Sequence, residues 1–347
     1  RLRLGLRLRG RSPMAEPASP TGSGPAIDQL DAVCAEFAER GVVVISDVFS
    51  AAEIQEMREE ADAMAEVSLN AMLYHDRRSA RCGIGLDGDG EVSILKLQPY
   101  IDVSSVFQRV VSDARIVRPL EAIMGDEAVL MPEKSKLNYK QRLAEGGELF
   151  GLGSSEGNGA TGNTALSNRT PSNFGRFPIR KCSPLPLRLS EASRGCTDND
   201  YAYYRKQRCP PTALTSLVVL DDCTEDNGPL RCWPGTHREH IEHDPHELGL
   251  QVQPQFLRDG TLDPDGGELL LPRAGSFVIF QVTTIHASTP NRTANPRRLA
   301  IFAHCPRSLW EPQLHPGNQN AVVSEGAFET SYLRAVAEGK AQPRVKL

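Results

Sequence analysis

The sequence lacks a long apolar segment and a strong net charge. No run of about eighteen apolar residues occurs in it, so a membrane-spanning helix is not expected. The formal net charge of −5 at pH 7 gives no reason to expect general affinity for nucleic acid. Aromatic residues make up 6% of the chain and charged residues 24%, which is ordinary for a globular protein. With 347 residues, the chain is long enough for one elaborated domain or two.

Paired metal-binding cysteines are missing as well. The eight cysteines are scattered and none forms a Cys-x-x-Cys pair, which argues against a zinc knuckle or a thioredoxin-type motif. The sequence contains no His-Glu-x-x-His motif, so a zinc protease is not supported. Because no secretory signal is recognisable, we expect reduced thiols and a cytoplasmic location.

Four histidines recur at a spacing of three residues without making a convincing metal site. They are His237, His240, His243 and His246. On a helix, a strict spacing of three drifts around the axis, so four side chains cannot face one ion. Pro245 would also interrupt such a helix. Residues 237–267 are therefore predicted to be a polar, loop-rich segment.

The remaining pattern is a helical opening followed by many short strands. Apolar residues from Ile27 to Phe37 recur at helical spacing, and Ser50 with Glu53 forms a capping box that opens a second helix. Further helix is predicted within residues 103–125. Alternating or β-branched runs predict strands at 42–45, 91–97, 128–131, 135–140, 213–220, 230–233, 268–271, 276–281 and 299–304. This pattern predicts a mainly β fold with flanking helices, a double-stranded β-helix of the jelly-roll or cupin-like kind.

Two segments show no apolar period. Residues 1–25 begin with an arginine-rich stretch, which fits a transit-type leader, translated upstream sequence or a fragment end, and we expect this segment to be disordered. Residues 151–197 hold seven glycines, seven serines, four asparagines and four prolines. They are either a retained intron or gene-model error, or a loop peculiar to this chain. The domain is therefore expected to span residues 26–310, interrupted by 151–197, with a C-terminal extension at 311–347.

Candidate functional residues lie at the predicted strand ends. His286 follows one apolar run, and Arg297 enters the next one. An imidazole suits a transition metal, and a guanidinium can hold a carboxylate through two hydrogen bonds. Asp198 and Asp200 supply carboxylates shortly before the strand at 213–220. One histidine, one carboxylate and one arginine on strand ends are the skeleton of a non-haem iron site that binds a keto-acid.

Four segments, at 136–140, 200–204, 227–237 and 286–297, resemble the phytanoyl-CoA dioxygenase family of iron(II)- and 2-oxoglutarate-dependent oxygenases. They occur in the order and spacing of that family, and the likeness covers roughly residues 28–140 and 198–310. The resemblance implies a double-stranded β-helix, iron(II) as metal, 2-oxoglutarate as co-substrate, and hydroxylation of a small-molecule or lipid-like substrate.

The resemblance also implies roles for individual residues. The family writes two metal ligands as His-x-Asp before an aromatic-Ala-aromatic run, which assigns Asp200 and His286 to the metal and puts Asp198 where the first histidine belongs. Arg297 falls on the arginine that binds the far carboxylate of 2-oxoglutarate. Lys140 falls near the same carboxylates, with a solvated edge-strand lysine as the alternative. Ser288 shares the face of His286 and offers a hydrogen bond to the keto-acid, unless it serves only the turn before Pro290.

The first metal histidine is absent. Asp198 occupies its place, either as a metal-binding carboxylate or as a solvated loop acid, and the shifted register Cys196-Thr197-Asp198 supplies no histidine either. Three functions follow as hypotheses. The chain is an iron(II)/2-oxoglutarate dioxygenase impaired by this loss, or a non-catalytic relative that still binds a ligand. It is otherwise an unrelated cupin-like metal-binding protein, which would not require Arg297.

Overall fold

The computed structural model describes residues 27–76, 79, 81–86, 92–142, 198–204, 210–246, 249–263, 266–310 and 328–344. The predictions for the leader at 1–25 and for the insert at 151–197 lie outside the described residues. Of the predicted C-terminal extension, residues 328–344 are described.

Seven α-helices are present among the described residues. They are α1 (Ile27–Arg40), α2 (Ala51–His75), α3 (Ser105–Val111), α4 (Ala114–Met124), α5 (Asp200–Tyr204), α6 (Pro254–Arg258) and α7 (residues 328–337). Helix α2 begins with the predicted capping box, because the Ser50 hydroxyl accepts from the Glu53 N–H and the Glu53 carboxylate accepts from the Ser50 N–H. Among the helices described, none is long and apolar enough to cross a membrane.

The strands form two main sheets and a separate pair. In chain order they are β1 (Val42–Ile45), β2 (Cys82–Leu86), β3 (Val92–Leu97), β4 (Ala128–Leu130), β5 (Lys136–Lys140), β6 (Leu214–Val219), β7 (Leu230–Cys232), β8 (His243–His246), β9 (Gly249–Val252), β10 (Glu268–Leu270), β11 (Phe277–Gln281), β12 (His286–Ser288) and β13 (Arg297–Pro306). The large sheet has the order β1-β11-β6-β13-β5-β3-β2, with β4 also paired to β13. The small sheet has the order β10-β7-β12, and β8 pairs with β9. Every pairing within these described strands is antiparallel.

The large sheet is covered on both faces, as the sequence of β11 illustrates. Phe277 and Ile279 pack into a core shared with the helices, whereas Val278 and Phe280 pack into a second core shared with the small sheet. Alternate residues of a strand point to opposite faces, so a continuous apolar run is what a doubly covered strand requires. The structure confirms the predicted mainly β architecture with flanking helices. The space between the two sheets is where the candidate site lies.

Candidate active site

Asp198 and His286 form an isolated antiparallel bridge at the edge of the small sheet. The Asp198 N–H donates to the His286 carbonyl at 3.0 Å, and the His286 N–H donates to the Asp198 carbonyl at 2.8 Å. Residues paired in this way direct their side chains to the same face. The Asp198 Oδ1 atom accordingly lies 3.9 Å from the His286 Nε2 atom.

The imidazole of His286 is oriented by the main chain. Its Nδ1 atom lies 3.1 Å from the carbonyl oxygen of Thr284, so Nδ1 carries the proton and donates it. This leaves the Nε2 lone pair free and directed toward Asp198. The ring of Phe280 packs at a tilt against the imidazole, with 4.9 Å between ring centroids. A ring held by a carbonyl at one nitrogen and open at the other is the usual arrangement of a metal-binding histidine.

The two oxygens of Asp198 have different surroundings. Oδ2 accepts a hydrogen bond from the Tyr203 hydroxyl at 2.8 Å, whereas Oδ1 faces His286. Burial raises the pKa of Asp198, and the neighbouring His286 and the Tyr203 hydrogen bond oppose that rise. Ligand bonds to a transition metal are about 2.0–2.2 Å long, so Asp198 and His286 are close enough that both would be able to hold one ion.

Asp200, the first residue of α5, is engaged elsewhere. Its Oδ2 atom accepts from the Thr215 hydroxyl at 2.5 Å, and its Oδ1 atom lies 3.8 Å from the Lys136 Nζ atom. Burial alone would raise the pKa of Asp200, but Lys136, the neighbouring His286 and the Thr215 hydrogen bond outweigh it and lower that pKa. Asp200 is thus a buried, ionised carboxylate with two protein partners. Within the described part of the chain, no group of three His, Cys, Asp or Glu side chains is arranged to hold a metal ion.

Arg297 and Lys140 place two cations side by side. They are cross-strand partners in the pairing of β13 with β5. Arg297 is only 3% exposed, its Nη1 atom lies 4.0 Å from the Cys223 Sγ atom, and its Nε atom has no hydrogen-bond partner. Burial lowers the pKa of Arg297, partly offset by Cys223. A buried guanidinium with an unused donor calls for an anion that the described residues do not supply.

Lys140 contacts β12 through the Ser288 side chain. Its Nζ atom donates to the Ser288 hydroxyl, which in turn donates to the Gly228 carbonyl at 3.1 Å. Burial, reinforced by the charge of Arg297, lowers the pKa of Lys140 to about 7. The solvated-lysine alternative for Lys140 is wrong, because its ammonium group is buried and donates to Ser288. Ser288, likewise, has a partner at the site and does not serve only the turn.

The absence of a side chain at Gly228 leaves space for the Lys140 side chain. Its φ of +77° is a conformation that side chains with a Cβ rarely adopt. A Cβ at this position would lie 2.8 Å from the Lys140 Cδ and Cε atoms and would also collide with the Thr289 carbonyl. Because Ser288 follows His286 by two residues on β12 and bonds Lys140, the Asp198–His286 pair and the two cations are directed to the same face.

Several of these residues are not recognisable from the sequence. Thr215 and Cys223 reach the site only because β6 and the turn after it pack beside β13, and nothing local marks them. Tyr203 stands in the predicted aromatic run, but its hydrogen bond to Asp198 depends on the turn into α5. Arg298, the next residue on β13, does not share the surroundings of Arg297, since it pairs with Asp221 and Asp62.

The chain is similar to several known proteins. Residues 195–299 match the family model of phytanoyl-CoA dioxygenase (PhyH). A probable alpha-ketoglutarate-dependent hypophosphite dioxygenase of Stutzerimonas stutzeri is 32% identical over 122 residues, which cover 34% of this chain and 42% of the relative. The ectoine dioxygenase of Halomonas elongata is 24% identical over 283 residues, covering 77% of this chain and 67% of the relative. EctD from S. alaskensis, in a crystal structure with 2-oxoglutarate and 5-hydroxyectoine, matches with a TM-score of 0.50 at 19% identity, over 82% of this chain and 77% of that one.

The two facing sheets and the likeness to EctD define the class, a double-stranded β-helix flanked by helices, as the sequence predicted. The match of residues 195–299 to the family model confirms the resemblance to the phytanoyl-CoA dioxygenase family that three of the motif segments carry. The chain spans less than half the length of the hypophosphite dioxygenase, 42%.

Proposed function

We propose that this chain is an iron(II)- and 2-oxoglutarate-dependent dioxygenase of a small-molecule substrate, impaired by the loss of its first metal histidine. The observation that carries the proposal is the pair of neighbouring cations, Arg297 and Lys140, for which the described residues provide no carboxylate partner. The names of the relatives support the class, since they are dioxygenases of small molecules, and EctD was crystallised with 2-oxoglutarate.

The cation pair fits the two carboxylates of 2-oxoglutarate. Arg297 binds the far carboxylate through two parallel hydrogen bonds, for which its unpartnered Nε atom is available. Lys140 adds a positive charge, and the Ser288 hydroxyl adds a hydrogen-bond donor, on the side of the sheet where Arg297 lies. Recognition of the dianion compensates for the burial of the two cations, which is otherwise unfavourable.

The metal is proposed to lie between Asp198 and His286. The Oδ1 and Nε2 atoms face each other at 3.9 Å, and the hydrogen bond from Nδ1 to Thr284 fixes the imidazole in the tautomer that can bind a metal. When bound, iron(II) and the keto-acid supply the chemistry, in which 2-oxoglutarate is decarboxylated and the substrate is oxidised by dioxygen. The chain's own residues hold the two ligands in place and keep the dianion oriented beside them. Asp200 is proposed to support the structure and not to bind the metal.

The site is incomplete in one respect. With Asp198 as the acid of His-x-Asp, the histidine position falls on Cys196, which lies outside the described residues. Facial iron sites in this class normally use two imidazoles and one carboxylate. We therefore propose weak iron binding and poor turnover. This absence also favours a second candidate, a non-catalytic relative that binds 2-oxoglutarate without oxidising anything.

Succinate formation from 2-oxoglutarate with iron(II) tests the proposal. We expect little succinate from the chain as it stands and a clear increase from Cys196→His, which places an imidazole two residues before the acid. Asp198→His is the matched control, because it adds the same side chain but removes the proposed carboxylate ligand. Abundant succinate from the unaltered chain would contradict the impairment, and no succinate from Cys196→His would favour the non-catalytic candidate. A cytoplasmic location remains part of the proposal, resting on the scattered cysteines.

A further inference from the structure

Tyr203, in the last turn of α5, contacts both the candidate metal site and a separate pair of strands. Its hydroxyl donates to the Asp198 Oδ2 atom at 2.8 Å and accepts from the Leu250 main-chain N–H, also at 2.8 Å. Leu250 belongs to β9, which pairs with β8 in a two-stranded sheet of its own. One hydroxyl group therefore joins the carboxylate of Asp198 to the β8–β9 pair.

The two hydrogen bonds determine where the proton of the Tyr203 hydroxyl group points. A phenol has one proton to donate, and here the amide of Leu250 supplies the proton on its other side, so the phenol proton is left for Asp198. The bond occupies Oδ2 and leaves Oδ1 toward His286. Tyr203 is 37% exposed, so it is not a core residue. Its specific contacts are the two hydrogen bonds of the hydroxyl group.

We propose that Tyr203 is a positioning residue that presents Asp198 to the metal through a single oxygen and couples this carboxylate to the β8–β9 pair. The proposal rests on the proposed function, in which Asp198 is a metal ligand. Groups that hydrogen-bond to a metal ligand typically change metal affinity about 10- to 100-fold when they are removed. Tyr203 acts through Asp198 and touches neither the metal nor the substrate in this scheme.

The test compares Tyr203→Phe with Tyr201→Phe, which makes the same chemical change on the same helix at a residue without these contacts. Amide hydrogen exchange at Leu250 is measured without metal, and cobalt(II) affinity is measured by calorimetry. We expect Tyr203→Phe to speed exchange at Leu250 and to weaken cobalt(II) binding at least about tenfold, with neither effect in Tyr201→Phe.

Unchanged exchange at Leu250, or unchanged cobalt(II) affinity, in Tyr203→Phe would overturn the proposal. An unaltered chain that binds no cobalt(II) would instead contradict the proposed metal site. In that case exchange at Leu250 still decides whether Tyr203 anchors β9, because this readout needs no metal. Circular dichroism of both variants checks that the change of side chain leaves the fold intact.

Discussion

Asp198 and His286 face each other across two main-chain hydrogen bonds, with 3.9 Å between the carboxylate Oδ1 and the imidazole Nε2. The main chain thus holds the two side chains together before any metal is bound. Such prior organisation lowers the conformational cost of binding, because few rotatable bonds must be ordered afterwards.

The first prediction distinguishes the proposed metal-binding role of Asp198 from the proposed structural role of Asp200. Asp198→Asn should weaken cobalt(II) binding at least about tenfold, because it replaces a charged ligand by a neutral amide. Asp200→Asn should leave that affinity nearly unchanged and instead destabilise the fold by about 2 kcal/mol, since it weakens the contacts with Thr215 and Lys136. Calorimetry and thermal unfolding provide the two measurements. Equal loss of cobalt(II) binding in both variants would return the ligand role to Asp200.

The pH dependence of stability provides a further check on Asp200. Its pKa is lowered in the folded state, so its ionised form stabilises the fold at pH values above the unfolded pKa. This contribution is lost as pH falls through the folded pKa. The difference in unfolding free energy between the unaltered chain and Asp200→Asn should therefore shrink on acidification, and a difference independent of pH would contradict the ion-pair account.

The second prediction concerns Lys140, whose pKa is lowered to about 7. A bound dianion favours the charged ammonium, so binding of 2-oxoglutarate at about pH 8 should take up close to one proton. Calorimetry in buffers of different ionisation enthalpy measures this number. Lys140→Arg keeps a permanent charge and should bind without proton uptake. A binding enthalpy that does not depend on the buffer would show that Lys140 does not face the dianion.

The lowered pKa of Lys140 also affects the stability of the ligand-free chain. Lys140 has a folded pKa below its ordinary value of 10.5, so its burial opposes folding fully below about pH 7. The penalty is relieved as pH rises from about 7 toward the unfolded value. Replacing Lys140 with Met should therefore stabilise the ligand-free chain most at neutral and acidic pH, as thermal unfolding across pH can show.

The third prediction uses two glycines with almost the same backbone. Gly228 has a φ of +77° and Gly260 a φ of +78°, but a Cβ at Gly260 would meet nothing within 4 Å. Gly260→Ala should cost about 1–2 kcal/mol of stability through the strained φ, and Gly228→Ala should cost more, because its Cβ would also collide with the Thr289 carbonyl. Only Gly228→Ala should also weaken 2-oxoglutarate binding, because its methyl group displaces Lys140. Equal binding by the two variants would contradict the placement of Lys140 in the site.

The sequence predicted the fold well where a pattern is local. The helical spacing before Gly41, the Ser50 capping box and the apolar runs that became β6 and β11 are all present. Strand β12 was not predicted, since three residues are too few to show a period, and its neighbour β7 defines it through pairing. The resemblance pointed to Arg297, Lys140 and His286, and the structure brings Lys140 and Arg297 together as cross-strand partners. The sequence alone did not separate Asp198 from Asp200, because one bridge and one helical turn decide which carboxylate faces His286.

Calorimetric titration of 2-oxoglutarate into the metal-free chain near pH 7 tests the central claim most directly, because it does not require the missing histidine. We predict binding at one site, weakened at least about 30-fold in Arg297→Met, as expected when one partner of a buried charge pair is removed. Arg292→Met, at an exposed arginine in the same β12–β13 connection, should bind normally. The ligand-free melting temperature of Arg297→Met should not fall, because that variant removes a buried cation without a partner. No binding to the unaltered chain, or equal binding to Arg297→Met, would contradict the account.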